Sequence, residues 1–383
     1  MRVYLGKNVV DAALDRYRWI FDEFPHVLVN VSGGKDSTIV LNLALRVAEE
    51  KGRLPLRVLF VDQEAEWACA ISHVREIMDD PRVEPAWLQV PIQLFNSTSP
   101  YSPWLKCWEP GQRWMRDKEE DSLHENVYGT VTFAEMFGAV IDHDYPDEPA
   151  CLIAGVRAEE SPARALGLTT YPCYKHVTWG SKNSGKRDDH VTFYPIYDWS
   201  VRDVWKAIDE HGWPYCSLYD ELYRYGVPTR QMRLSNLHHE TAVRSLFYLQ
   251  EIEPDTWDAL TERLTGINAT GHLSMASLRP EKLPPMFKDW IEYRDHLLDT
   301  LVVEDDKREA MRNQFLGMDR RFDHDPKVFA NLVQTEISAI LVNDYHTTKL
   351  RTFEAANLGK SKNRGKISGR RFEDANTGLR SAG

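Results

Sequence analysis

The chain has 383 residues, 42% hydrophobic and 27% charged; this is a globular composition, and at roughly 100–200 residues per domain the length suits two domains. No apolar run reaches the ~18 residues that cross a bilayer, and the opening residues lack the apolar segment and cleavage site of a signal peptide, so a cytoplasmic protein with no membrane partner is expected. Five widely spaced cysteines without a CxxC pair exclude a disulfide scaffold and predict no zinc ribbon and no iron–sulfur cluster within the chain.

In chain order, residues 11–24 place Leu14, Tyr17, Ile20, Phe21 and Phe24 on one helical face. Short apolar runs at His26–Val31, Leu56–Val61, Trp87–Ile92, Cys151–Val156 and Val191–Ile196 read as strands. Helical patterns lie between them, at about 37–51, 66–79 and 131–141. Near-continuous apolar strands alternating with helices predict a doubly wound, mostly parallel sheet. Residues 93–130 interrupt the rhythm as an insert, in which Trp104, Trp108 and Trp114 either stack a base or form a small core. Residues 179–190 read as a polar loop. Past residue 235 helices dominate, at about 240–251, 255–265, 285–301, 305–315 and 326–341. The expected organisation is a nucleotide-binding domain over 1–235, a helical domain over 236–348 and a basic, flexible tail over 349–383. The net charge of −11 divides into +6 in that tail and −17 in the remainder. The tail is either a solvated terminus or an arm for the phosphates of a nucleic acid.

The strongest local signal is Ser32-Gly33-Gly34-Lys35-Asp36-Ser37, directly after the first strand and opening a helix. Glycines let the backbone turn tightly and present N–H groups to an anion, and the helix adds its positive end. Serine hydroxyls and the Lys35 charge suit a phosphate. The pattern is neither GxxxxGK[ST] nor GxGxxG, so neither a motor NTPase nor a dinucleotide dehydrogenase is implied. Asp62, at the carboxyl end of the second strand, is a candidate for ribose hydroxyls or Mg²⁺. In Gly155-Val-Arg157-Ala-Glu-Glu-Ser-Pro-Ala-Arg164, the planar guanidinium forks of Arg157 and Arg164 suit an anion clamp, and Gly155 allows close backbone approach. Lys175 and His176 are candidates to reach phosphates. Cys69 and His73 have metal-ligand spacing but no second pair, and no metal site in the protein alone is predicted. Ser200 and Asp203 form a helix-start capping pair, and Gly212 ends that helix.

The Ser32–Ser37 loop resembles the PP-loop of the ATP pyrophosphatases, which cleave ATP between its α- and β-phosphates, and which share it with the phosphoadenosine phosphosulfate (PAPS) reductases. The stretch Gly155–Arg164 resembles the reductase pattern G-x-R-x-x-E-S-x-x-R. Residues 194–220 resemble that family's P-L-x-D-W-x-x-x-D-V-W … L-P-Y-N-P-L-Y-D. The resemblance covers about residues 25–235. It implies an adenine nucleotide α-hydrolase fold, phosphate binding by Ser32, Gly33, Gly34, Asp36 and Ser37, with Lys35 in the family's variable slot, and catalytic roles for Asp36, Arg157 and Arg164. ATP or PAPS would be the nucleotide, with Mg²⁺ accompanying ATP.

The sequence departs from the reductases in its cysteines. It lacks their C-terminal Glu-Cys-Gly-x-His type motif, and Gly226–Arg233 offers Arg230 and Arg233, candidate substrate contacts, where some relatives carry cluster cysteines. Together with Phe60-Val-Asp-Gln-Glu-Ala-Glu66 and Lys106-Cys-Trp-Glu-Pro-Gly-Gln-Arg113, that stretch is similar to a PAPS reductase-like subfamily. This subfamily includes the A component of a two-gene co-regulator of immunoglobulin-binding proteins, whose companion is ParB/sulfiredoxin-like. The expected function is ATP cleavage with adenylyl transfer, with a ParB-like partner and nucleic acid as implied associates. The alternatives are a PAPS-dependent reductase or sulfotransferase-like enzyme and a non-catalytic nucleotide sensor. Sequence leaves the acceptor open.

Overall fold

The computed structural model describes residues 6–99, 102–169, 172–183, 187–267, 283–302, 304–341, 344–345, 347 and 349–357. The chain forms two compact units that interleave in sequence. Residues 1–94, 104–237 and 248–263 make the first, and residues 95–103, 238–247 and 264–383 the second.

The first unit begins with α1 (Val9–Glu23), started by Asn8, whose side chain accepts the Asp11 N–H at 2.8 Å. It continues through β1 (His26–Asn30), α2 (Lys35–Glu50), β2 (Leu56–Val61), α3 (Ala68–Met78) and β3 (Val83–Leu88). After β4 (Ile92–Phe95) and β5 (Trp104–Cys107) come α4 (Phe133–Asp144), β6 (Ala150–Ile153), α5 (Pro162–Gly167), β7 (Gly180–Lys182), β8 (His190–Phe193), α6 (Val201–His211) and α7 (Leu218–Arg224).

The main sheet has the order β3-β2-β1-β6-β8-β7. All neighbours are parallel except the antiparallel β7–β8 pair. Order therefore reverses at β1: β2 and β3 are laid down on one side, β6 and β8 on the other. The crevice between the carboxyl ends of β1 and β6 is the switch point where such sheets bind ligands. The loops Val31–Gly34 and Ala154–Arg157 both leave the sheet there.

The core explains the helices. Leu14, Tyr17, Ile20 and Phe21 of α1 are buried with Ile39, Leu43 and Val47 of α2 and the central strands. The Tyr17 hydroxyl donates to the Val40 carbonyl at 3.0 Å, so burial leaves it satisfied. The capping box of α6 is present in both directions, Asp203 N–H to Ser200 Oγ at 3.2 Å and Ser200 N–H to Asp203 Oδ2 at 2.7 Å, and Gly212 closes the helix at φ 61°.

Two strand expectations shift. The third strand begins at Val83 rather than Trp87, because it is the sheet edge: Glu84 and Pro85 are exposed there, where proline is tolerated and an apolar run is not required. Part of the expected 179–190 loop is β7; Gly180 is buried, and an added Cβ would stand 2.7 Å from Cys173 Sγ and 2.8 Å from the Thr192 carbonyl oxygen.

α8 (Val243–Ile252) and α9 (Pro254–Arg263) follow, then α10 (Trp290–Leu301), α11 (Asp305–Phe322) and α12 (Pro326–Leu341). In the second unit, α11 runs seven residues past the expected end at 315. Met311, Phe315, Met318 and Phe322 keep the buried stripe going through Gly317. Arg294 of α10 is buried against Glu336 of α12 at 2.7 Å and Asp319 of α11 at 2.9 Å, which ties the three helices. Residues 349–357 are helical, and Leu350 is fully buried in this unit's core. Residues 358–383, with most of the tail's basic side chains, lie outside the described residues. Among the described residues no helix is long and apolar enough to cross a membrane.

Candidate nucleotide site

Gly33 takes φ 69°, a conformation that favours glycine, and an added Cβ would lie 3.3 Å from the Ala70 carbonyl oxygen. The turn is closed by Ser37, whose hydroxyl donates to the Gly34 carbonyl at 2.8 Å and accepts the Ser32 N–H at 3.2 Å. α2 begins at Lys35, whose N–H donates to the Tyr219 hydroxyl at 3.1 Å. Gly155 presses on the loop from β6: a Cβ there would stand 3.0 Å from the Asp36 carbonyl carbon and 3.1 Å from Ser37 N.

Charge converges on the same place. Asp36 accepts Lys35 Nζ at 2.8 Å and Arg157 Nε at 2.5 Å. Arg157 is 4% exposed and also faces Glu159 at 3.5 Å and Glu160 at 3.8 Å. Arg164 pairs with Glu160, and its N–H caps α5 through Ser161 at 3.2 Å. Burial lowers the pKa of the Arg164 guanidinium below its ordinary value, and the neighbouring Arg233 lowers it further, with Asp36 opposing. Three cations (Lys35, Arg157, Arg164) thus meet three acids (Asp36, Glu159, Glu160), and Arg233 brings a further positive charge. An anion entering this site exchanges for the carboxylates already held there.

A cleft runs from Ser32 across the carboxyl ends of β1 and β2, between Phe133 and Phe137 of α4 and Leu234, to Gln63, Glu66 and Asn236. Glu66 is buried and receives a hydrogen bond from the Asn236 amide. Burial pushes its carboxyl up to about 8, and the nearby Asp62 adds to the rise.

The structure brings Ser32 through Ser37, Gly155, Arg157, Arg164 and Arg233 together. Arg230 is exposed in the turn before Arg233. Asp62 is placed differently from the expectation that it faces a ribose or Mg²⁺. It is fully buried and accepts Trp87 Nε1 at 2.8 Å, Gln89 Nε2 at 3.0 Å, Arg116 at 2.6 and 2.7 Å, and the Glu64 N–H at 2.9 Å. Glu64 continues this network with the N–H groups of Trp108 and Met115 and with Arg263 Nε at 2.6 Å. Trp108 is fully buried and Arg116 lies over its ring, so it is part of the insert's core. Lys175 pairs with Glu23 and His176 packs edge-on against Trp19, which puts Lys175 beside the amino end of β1, opposite the loop. His73 is buried and shares a 3.1 Å hydrogen bond with the Thr38 hydroxyl.

Sequence reasoning missed the sites of Tyr219, Glu66, Asn236, Phe133 and Phe137. Tyr219 and Glu66 stood inside quoted motifs, whereas Phe133, Phe137 and Asn236 join the cleft only through chain topology. Around the loop the carboxylates do not suit a resident cation. Asp36 is held from two sides by cations, Asp62 is enclosed by donors, and no cluster of three metal-ligating side chains occurs among the described residues.

A parallel sheet that reverses at β1, with a Gly-Gly-Lys-Asp loop at the switch point, defines a PP-loop nucleotide-binding protein. The chain belongs to the phosphoadenosine phosphosulfate reductase domain family, whose model matches residues 26–225, and a domain of unknown function (DUF3440) matches residues 226–350. It is 30% identical to YbdN of Escherichia coli (strain K12), an uncharacterized protein, over 78% of this chain and 77% of that one. It is 24% identical to sulfate adenylyltransferase subunit 2 of Sulfurovum sp. (strain NBC37-1) over 53% of this chain and 62% of the relative, so it spans less than two thirds of that protein. A solved FMN adenylyltransferase of Candida glabrata, in complex with FMN and an ATP analogue, aligns with a TM-score of 0.37 at 15% identity, over 62% of this chain and 66% of that one.

Proposed function

We propose that the chain binds ATP with its phosphates on Ser32–Ser37 and its base in the cleft toward Glu66, and cleaves it between the α- and β-phosphates to adenylate an acceptor. The observation that carries this reading is that a cleft lined by Phe133, Phe137, Glu66 and Asn236 opens beside Ser32, the first residue of the loop on whose Asp36 Lys35 and Arg157 converge. Cations on the loop suit anionic phosphates, and aromatic rings beside a polar group suit a flat base. Glu66, neutral at physiological pH, offers an O–H donor beside a carbonyl acceptor, the complement of adenine's ring nitrogen and exocyclic amine.

Chemistry at such a site is positioning and electrostatics. As the triphosphate enters, Arg157 exchanges the Asp36 carboxylate for phosphate oxygens, and Lys35 and Arg164 offset the charge that grows on the departing pyrophosphate. Asp36 holds Arg157 in register until the phosphates arrive and continues to hold Lys35 afterwards. Mg²⁺ arrives with ATP on its phosphate oxygens, and no step is assigned to a protein-held ion.

Family membership also supports a sulfonucleotide as the ligand, and the cation set suits a 3′-phosphate as well as a triphosphate. The test is incubation with Mg-ATP and chromatography for AMP and pyrophosphate. The reading predicts both products from the wild type and their loss in Asp36→Ala and Arg157→Ala. PAPS binding without ATP turnover moves the assignment to the sulfonucleotide, and nucleotide binding without turnover of either moves it to a sensor.

A further inference from the structure

The five cysteines are scattered in sequence, but the fold brings two of them together. Cys69, second residue of α3, and Cys216, two residues before α7, have their sulfurs 3.6 Å apart. Cys69 is partly exposed and Cys216 is 1% exposed. Both lie in the unit that carries the loop, and each belongs to a segment that touches it. The residue after Cys69 is Ala70, whose carbonyl oxygen faces Gly33. Three residues after Cys216 is Tyr219, whose N–H donates to the Cys216 carbonyl at 3.3 Å and whose hydroxyl accepts the Lys35 N–H. The Glu253 carboxylate fixes the first turn of α3, accepting the Ala68 and Cys69 N–H groups at 2.7 and 2.9 Å.

We propose that Cys69 and Cys216 are a thiol–disulfide exchange site whose oxidation closes the two supports of the phosphate loop on each other and weakens nucleotide binding. The co-reactant is a low-molecular-weight disulfide. The accessible Cys69, whose thiol the Cys216 hydrogen bond and burial hold above its ordinary pKa, gives its proton to solvent, attacks the small disulfide and releases one small thiol; the Cys216 thiolate then attacks Cys69 Sγ and releases the second. The two protein thiols are oxidised to one disulfide and the small disulfide is reduced to two thiols, so protons and electrons balance. The burial of Cys216 favours its role as the resolving sulfur, shielded from the small molecule but in reach of its partner. A disulfide has its sulfurs about 2.05 Å apart, so the two sulfurs must close by about 1.5 Å, through side-chain rotation and movement of the segments that carry them. The Ala70 carbonyl oxygen stands where a Cβ on Gly33 would meet it at 3.3 Å, so a shift of the Cys69 segment bears on the loop.

The effect on nucleotide affinity rests on the reading above, whereas the bond itself does not. The full-length protein is equilibrated with oxidised glutathione, alkylated and mapped without reduction, and its ATP affinity is measured in both redox states. A peptide pair linking Cys69 and Cys216 is expected, absent in Cys69→Ser and Cys216→Ser. ATP affinity is expected to fall by about tenfold on oxidation, to return with dithiothreitol, and to be insensitive to oxidant in Cys69→Ser. Glutathione retained on Cys69 with no protein disulfide overturns the proposal, and so does a disulfide that leaves affinity unchanged. A reduced wild type that binds no ATP counts against the nucleotide reading, and the peptide map then decides the exchange site alone.

Discussion

At the residue scale, Glu66 is the group whose state the fold changes most usefully. Its pKa is raised from the ordinary carboxylate value to about 8 by burial. Below the unfolded value, both states are protonated and the residue costs nothing. As pH rises from there to about 8, the unfolded chain releases the proton while the folded one keeps it, so stability falls through that window and levels off above it. Glu66→Gln removes the titration. Urea denaturation is therefore expected to show a wild type that loses stability, by a few kcal/mol at about 1.4 per pH unit, between about pH 5 and pH 8, and a variant that does not. Matching slopes for the two proteins contradict the assignment. If the neutral acid reads the base, ATP affinity weakens in the wild type only as pH rises through about 8, where the stability loss levels off and the folded carboxyl ionises.

At the element scale, the insert between β3 and α4 is held by charge as well as by buried apolar side chains such as Ile92, Leu105 and Trp108. Asp62 and Glu64, both fully buried, gather Arg116, Arg263 and the backbone of Trp108 and Met115. Asp62→Ala leaves the Arg116 guanidinium without its carboxylate. The expected cost is about 3–5 kcal/mol by denaturant titration, and a loss under about 1 kcal/mol shows the pair to be dispensable. The same network shows where sequence stops being informative. A strand-ending acid followed by a polar stretch is as consistent with a ligand carboxylate as with an internal anchor, because the two differ only in what an insert residue 54 positions away does with it. The loop Ser32–Ser37, the capping box at Ser200 and the central strands were legible because each is encoded by adjacent residues. The edge strand at Val83, the cleft residues Phe133 and Asn236, and the Cys69–Cys216 pair are products of topology, and no local pattern announces them.

At the scale of the whole molecule, the net charge of −11 says little about what the chain binds. The proposed anion site is a local balance, in which Lys35, Arg157 and Arg164 pair with Asp36, Glu159 and Glu160. The second unit is organised separately around Arg294, Asp319 and Glu336, and a match to a domain of unknown function covers residues 226–350. The central claim is that the first unit holds an adenine nucleotide with its phosphates on the Gly33–Ser37 turn. Calorimetric titration of ATP into the full-length protein and into Gly155→Ala tests it most directly, because the three atoms nearest the added methyl are loop backbone at Asp36 and Ser37. The account predicts saturable binding by the wild type and an affinity at least about tenfold weaker in the folded variant. Equal affinities in the two proteins, or a folded wild type that takes up no ATP, contradict it.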